Sequence, residues 1–309
     1  MHLKNEYVVD SATGFKVKRN RYGYYQLDPI PSEQELSEYY AQKYYQNSKG
    51  SYSSSYTDEE KEFFRNRFFE KELLINKYLR HTVNTGGGKK YLLDIGCGEG
   101  FLLDYFDKRG FDVLGIDYSD FGIKQHNPRV IDKLIKGNLI DVCDTLIGDG
   151  KKFDVVNLDN VLEHVISPEA VLKRAHALLR PNGMLIIAVP NDFNPLQMFL
   201  FDNGMIHRKT WLAVPDHISY FNRDGLVALC NSLSFSEDII LGKWLTEFFA
   251  LNKNTNYYDN PACGHDCHLA RVAMEKMFYE ISPEKTIKLE QALIDMGLGR
   301  LLIGVFHKV

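Results

Sequence analysis

Asp94, Gly96, Gly98 and Gly100, followed further along by Asp117, are residues whose types and spacing could do chemistry. They lie in Leu92-Leu93-Asp94-Ile95-Gly96-Cys97-Gly98-Glu99-Gly100 and in Val113-Leu114-Gly115-Ile116-Asp117-Tyr118. Glycine has no Cβ, so Gly96 and Gly98 can take positive φ and let the backbone lie directly against a ligand. A carboxylate that ends the next strand can accept hydrogen bonds from both hydroxyls of a ribose. Together these residues describe half of a nucleoside-binding site, with Cys97 a small space-filling residue inside the turn. Taken singly, Asp117 could merely end a strand and the glycines could serve an ordinary turn.

Glycine spacing separates the nucleosides that such a half-site could hold. A dinucleotide fingerprint has the form G-x-G-x-x-G, its third glycine easing helix-on-sheet packing over a pyrophosphate. This chain instead has G-x-G-x-G with Asp94 two residues ahead. That arrangement favours S-adenosylmethionine, which carries no phosphate but has an amino-acid tail whose ammonium a carboxylate can bind. An NAD-dependent oxidoreductase is the disfavoured alternative.

Buried strands have to hold these residues in place. Lys90 to Ile95 is apolar almost throughout and bounded by glycine, the pattern of a parallel strand covered on both faces. A helix is expected from Glu99, and a second strand at 112–116 delivers Asp117 beside the first. Further strands are predicted at 133–137, 153–158, 183–189, 235–241 and 299–307, with helices at 119–126, 167–179 and 223–233. The alternation is that of an α/β doubly wound, mostly parallel seven-stranded sheet, a Rossmann-like fold. Ligands of such sheets bind outside the carboxyl ends of the strands, where Gly96, Asp117, Asn138 and Asp159 should converge.

On these motifs the sequence resembles the small-molecule branch of the class I S-adenosylmethionine-dependent methyltransferases. The resemblance continues through Phe153 to Val165, which includes Glu163-His164, through Leu179 to Asn191, and through Asp216-His217-Ile218-Ser219-Tyr220-Phe221. It implies a cofactor site made by Asp94, Gly96, Cys97, Gly98, Asp117 and Tyr118. It also implies adenine contacts from Asn138 and Leu139, and methionyl contacts from Asp159 and Asn160. A surface turn remains the plain alternative for Asn138, and a helix-opening structural role the plain alternative for His164. Similar proteins begin with P-x-P-S-x-x-E-L and paired tyrosines, often after a cysteine-based zinc ribbon; here Pro29 to Leu36 fits, but the first cysteine is Cys97.

Methyl transfer is an in-line displacement in which alignment dominates. A hydroxyl acceptor would also require a general base within hydrogen-bond reach. His217 is the first candidate, because it lies between an acidic neighbour and an aromatic run and titrates near neutrality; Tyr220 and His207 follow. The alternative for His217 is that it caps a helix or lines a lid. The aromatic insertion at 191–222 and a tyrosine-rich leading segment could enclose a small polar acceptor. The resemblance points to O-methylation of a sugar or nucleotide-linked compound. N- or C-methylation of another small molecule, and a non-catalytic S-adenosylmethionine-binding partner protein, are the alternatives.

Composition bounds the rest. The chain has 309 residues, 44% hydrophobic and 25% charged, enough for a full globular core. A net charge of -4 lacks the basic excess of a nucleic-acid binder. Lys16, Lys18, Arg19 and Arg21 read as a solvated face. No apolar run approaches the ~20 residues that span a bilayer, and no signal core is evident, so a cytoplasmic protein is expected. Five cysteines suit a reducing compartment. Cys263, His265, Cys267 and His268 have metal-ligand types but no recognised knuckle spacing, so no metal is expected there. Organisation is read as a largely helical, tyrosine-rich segment at 1–84 acting as a substrate cap or interface, then a domain at 85–309 with insertions at 191–222 and 243–297. Helices are expected in the second insertion at 268–280 and 283–296, and a homo-oligomer is compatible with the exposed tyrosines.

Overall fold

A computed structural model describes residues 6–9, 14–36, 38, 55–79, 88–243 and 245–309. Tyr39, Tyr40, Tyr44 and Tyr45, most of the serine- and tyrosine-rich loop at 50–56, and the glycine link at 85–87 lie outside these residues. The chain opens with three short strands, β1 (Tyr7–Val9), β2 (Lys16–Arg19) and β3 (Tyr25–Leu27). The leading segment is thus only partly helical. Its long helix is α1 (Asp58–Tyr78), started by a capping box in which Thr57 and Glu60 satisfy each other's backbone N–H groups. The same device stands at Ser32, whose hydroxyl accepts the Glu35 N–H at 3.2 Å while Glu35 accepts the Ser32 N–H at 2.8 Å.

The central sheet follows the expected alternation. In chain order it contains β4 (Tyr91–Ile95), α2 (Phe101–Asp107), β5 (Asp112–Asp117), α3 (Phe121–His126), β6 (Leu134–Lys136), α4 (Leu139–Gly148), β7 (Phe153–Asp159), α5 (Pro168–Leu178) and β8 (Leu179–Pro190). Then come α6 (Pro195–Asp202), β9 (Ser219–Tyr220), α7 (Arg223–Ser232), β10 (Phe235–Lys243), α8 (Gly264–Ile281), α9 (Pro283–Asp295) and β11 (Leu301–Lys308). Seven strands pair in the order β10-β11-β8-β7-β4-β5-β6. All neighbours are parallel except those of β11, which runs against both β8 and β10. The order in which strands are added reverses between β4 and β7, with β5 and β6 on one side and β7 and β8 on the other, so a switch point falls at the carboxyl ends of those two parallel strands.

Two apolar layers cover this sheet. One face buries Leu93, Ile95, Val156 and Leu158 with α5 and α7; the other buries Leu92, Val113 and Val155 with α2 and the Phe68, Leu74 and Ile75 side of α1. A third cluster forms separately from Val17, Tyr25, Leu27, Phe193, Leu200, Trp211, Ile218 and Tyr220. It joins the N-terminal strands to the insertion after β8. There β9 completes a second sheet, ordered β1-β2-β3-β9, with Tyr25 opposite Tyr220 and Gln26 opposite Ser219.

Several elements differ from the sequence reading. The helices α4 and α6 fall where none was expected. α4 is short, and its apolar residues merge with the preceding turn; α6 opens on the Asn194 cap with Pro195 in its first turn. In the second insertion α8 starts at Gly264, four residues ahead of the expected 268, so His265 and Cys267 also lie inside the helix.

Candidate functional site

The turn between β4 and α2 is held open by backbone geometry. Gly96, Gly98 and Gly100 have φ of +76°, +52° and +73°, a region that L side chains rarely adopt. A Cβ on Gly96 would stand 2.5 Å from Cγ2 of Val161, in the segment after β7. The two strand ends that form the switch point therefore touch through a hydrogen atom at this glycine. Gly96 and Cys97 N–H both donate to the Ile116 carbonyl, at 2.8 and 3.0 Å. Cys97 packs its sulfur toward Gly115, and burial pushes its thiol pKa up.

Asp117 ends β5 as expected. One carboxylate oxygen accepts the Gly98 N–H at 2.8 Å and the other the Ser119 N–H at 2.9 Å. Each carboxylate oxygen has two lone pairs, so both retain capacity for a ribose hydroxyl. Burial raises its pKa despite these backbone donors. The Tyr118 ring beside it is 60% exposed, offering a flat face, and its hydroxyl accepts from the Asn138 amide at 2.6 Å. Asn138 also caps α4, its carbonyl oxygen accepting the Ile140 N–H at 2.8 Å, while Leu139 packs against the core. The Asn138 side chain is thus committed to the loop's shape, and the exposed Tyr118 face stands beside it.

A network missed by the sequence reading lies beneath the turn. Asp94 is 3% exposed and accepts from the Asn157 amide at 2.6 Å. Lys71 of α1, 1% exposed, donates to Asn157 at 2.7 Å and to Asp159 at 2.5 Å. Burial, then the charge of Asp159, pushes the Asp94 carboxyl up to about 7. Burial alone would raise Asp159 too, but Lys71 and Arg67 outweigh it and hold that carboxyl below its usual value. A signal existed in the sequence. Phe64, Phe68, Lys71 and Ile75 recur at helical spacing, so Lys71 occupies the apolar stripe of α1. Asn160 follows with φ of +52°, its N–H donating to the Ala188 carbonyl.

The residues present fit a cationic nucleoside with an amino-acid tail. Gly96, Gly98 and Gly100 place no Cβ in the turn, the Asp117 carboxylate stands beside it, and no basic side chain is aimed into the turn to meet a pyrophosphate among the described hydrogen bonds.

Next to this turn three further side chains gather. Ligand-type atoms of Glu163, His164 and His217 all lie within 4.8 Å of one another. The His164 Nδ1 is 2.7 Å from the Asp216 carbonyl, and its Nε2 is 3.8 Å from a Glu163 carboxylate oxygen. The His164 and His217 rings meet edge to face with centroids 4.9 Å apart. Burial pushes the Glu163 carboxyl up to about 8. The Glu163 carbonyl accepts the Ile218 and Ser219 N–H groups at 2.7 and 3.1 Å, which ties the His217 segment to the end of β7.

The other expected candidates are placed elsewhere. Tyr220 is fully buried and its hydroxyl donates to the His217 carbonyl at 2.9 Å, so it supports His217. His207 lines an open cleft of about 680 Å³ with Ile206, Arg208, Tyr258 and Asp259. Most rings of the 191–222 insertion are turned inward: Trp211, Tyr220 and Phe221 are fully buried, and Phe193 is 8% exposed. Cys263 and Cys267 donate their thiols to the Asn260 and Thr255 carbonyls.

A methyltransferase-domain family model matches residues 64–236, more than half of the chain. Ubiquinone biosynthesis O-methyltransferases of two Coxiella burnetii strains, Dugway 5J108-111 and RSA 493, are 30% identical over 117 residues, 37% of this chain and 49% of theirs. The chain spans about half the length of the curated relatives it matches. Among solved structures, a SAM dependent methyltransferase from Archaeoglobus fulgidus is 16% identical with a TM-score of 0.49, covering 80% of this chain and 94% of that one. The plantazolicin methyltransferase BamL, in complex with a triazolic desmethylPZN analog and SAH, is 17% identical with a TM-score of 0.45, covering 91% and 92%.

Proposed function

The chain belongs to the methyltransferase-domain family and is a class I S-adenosylmethionine-dependent enzyme; from that premise we propose that it methylates a hydroxyl of a small, polar acceptor, a sugar or nucleotide-linked compound. The reading is carried by the cluster of Glu163, His164 and His217, whose first two members stand two and three residues beyond Val161, the residue that meets Gly96. Proton-handling groups stand there beside the cofactor turn, where an acceptor has to approach. The inward packing of Phe193, Trp211 and Tyr220 favours a hydroxyl-rich acceptor over a flat aromatic one, since those rings stabilise the insertion and offer little open face.

Bound S-adenosylmethionine supplies an electrophilic methyl group on a sulfonium. Asp117 orients the ribose through both oxygens, and the Tyr118 face takes the base. Asp94 and Asp159, joined through Asn157 and Lys71, fix the strand ends around the methionyl tail. Glu163, His164 and His217 accept or displace the acceptor's proton, a contribution typically of ~10²–10⁴-fold.

The test is a panel of sugars, nucleotide sugars, catechols and amines incubated with labelled S-adenosylmethionine and either wild-type or His217→Ala protein. Label should enter sugar hydroxyls, and the variant should turn over about 100-fold more slowly with cofactor affinity within a few fold. Label confined to catechols, whose hydroxyls stand on a flat ring, would replace the sugar reading. Unchanged turnover in the variant would remove His217 from the site.

A further inference from the structure

We propose that Glu163, His164 and His217 form a binding site for a divalent transition cation. The inference deepens the acceptor reading, on which its catalytic meaning rests, but the binding itself stands on the geometry. One carboxylate and two imidazoles present ligand atoms within 4.8 Å of one another. Ligands bonded at about 2.0–2.2 Å to one ion stand within roughly 4 Å of each other, so closing the set takes small side-chain rotations and no backbone movement.

Two further observations point to a ligand. Glu163 is 1% exposed, and its Oε2 has no hydrogen-bond partner among the described residues. A buried carboxylate oxygen left in that state is costly, and a cation is the partner that would satisfy it. The second observation is the orientation of His164. Its Nδ1 lies 2.7 Å from the Asp216 carbonyl, which cannot donate, so Nδ1 carries the proton and Nε2 carries the lone pair. A backbone carbonyl that fixes the far nitrogen of a histidine in this way is the usual support of a metal-bound imidazole. Here the aimed Nε2 is the atom 3.8 Å from the Glu163 carboxylate.

The backbone is already braced for such a site. The Glu163 carbonyl holds the Ile218 and Ser219 N–H groups, and the His217 N–H donates to the Ala213 carbonyl at 2.7 Å. His217 is thereby clamped on both sides. Its segment is continuous with β9, which pairs with β3.

Two imidazoles with one carboxylate suit zinc, manganese, iron or cobalt better than magnesium or calcium, which prefer all-oxygen sets. Three protein ligands also leave a position open, the arrangement of catalytic and not of structural sites. An acceptor hydroxyl bound there loses its proton to solvent. Its oxygen then forms the new C–O bond as the methyl–sulfur bond breaks, and the sulfur keeps that electron pair as a neutral thioether. The cation would lower the cost of the first of these events, so the three side chains act through it.

Protein stripped with a chelator and dialysed should be titrated with Mn²⁺ by electron paramagnetic resonance and with Zn²⁺ by calorimetry. Wild type, Glu163→Gln, His217→Gln and Cys263→Ser/Cys267→Ser proteins should be compared. The expected result is one site per chain, weakened at least ten-fold in the first two variants and unchanged in the cysteine variant, with all four binding S-adenosylmethionine alike as evidence of folding. No stoichiometric site in the wild type, or equal affinity in Glu163→Gln and His217→Gln, would overturn the inference. Stripped enzyme that keeps full turnover while His217→Ala loses it would also sink it and leave the proposed function standing. A cation bound as expected in a protein that methylates no hydroxyl would do the reverse.

Discussion

Between Asp94 and Asp117 a single strand-turn-helix-strand unit carries the glycines and the carboxylate proposed to hold the ribose, and neighbouring backbone N–H groups hold it in shape. The acceptor end draws Glu163 and His164 from the connection after β7 and His217 from the insertion after β8. It then rests that insertion on strands from residues 16–27. Local construction makes the first end a property of a short segment. The second end exists only when distant segments have packed, so it is the end at which related chains can diverge in substrate without disturbing the cofactor.

The sharpest way to break this contrast is to attack the floor that both ends share. Lys71→Met leaves Asp159, whose side chain is 20% exposed, without its ammonium; removing one partner of a fully buried pair costs about 3–5 kcal/mol, and the partial exposure of Asp159 sets the expected loss toward the low end of that range. Thermal or denaturant unfolding should show that loss, and Lys71→Met/Asp159→Leu should recover much of it; a single variant as stable as wild type would contradict the network.

Asp117→Ala separates the two ends. Losing two hydrogen bonds to a charged acceptor should weaken S-adenosylmethionine and S-adenosylhomocysteine by about 100-fold in calorimetry, near 2.7 kcal/mol. Metal titration at the acceptor end should be unaltered. A fall in both would show that the ends are not independent.

A pH-dependent effect concerns Asp94. Its folded-state pKa lies near 7, above the unfolded value, so the native protein holds a proton that the unfolded chain releases. The contribution of Asp94 is therefore complete below about pH 4, is lost as pH rises through 7, and is level above that. Melting temperatures measured across this range should decline less steeply in Asp94→Asn than in wild type, and parallel curves would reject the assignment.

The smallest change is Gln26→Ala. It removes the hydrogen bond of 3.1 Å from Gln26 to the Ser219 hydroxyl across β3 and β9. About 1 kcal/mol or less of stability should be lost, with a few-fold drop in turnover and no change in cofactor binding. An equal loss of cofactor affinity would show that the N-terminal sheet supports both ends.

What could be read from the chain beforehand follows the same division. The glycine turn, Asp117 and the seven strands were legible because each depends on neighbours in sequence: apolar runs for buried strands, glycine where φ is positive. Lys71 was not singled out, because a lysine on a helix is ordinarily solvated, and only its place on the Phe64, Phe68, Ile75 stripe marked it as buried. Glu163 and His164 were noticed as a pair, and His217 as a separate candidate. Their meeting depends on the Ile218 and Ser219 N–H groups reaching the Glu163 carbonyl across more than fifty positions, which no local periodicity encodes. The aromatic insertion misled for a physical reason: rings that could enclose a ligand can equally pack on one another, and here Trp211 and Phe193 do the latter.

The pairing of β3 with β9 also sets a schedule. Gln26 and Ser219 are 193 positions apart, so during synthesis the N-terminal strands wait for their partner while five of the seven central strands, β4 to β8, are made. At about 5–20 residues per second that interval is roughly 10–40 s. Newly made chain thus contains the glycine turn and Asp117 well before His217 and β9 exist, so of the two ends the one that includes His217 is the last to be assembled.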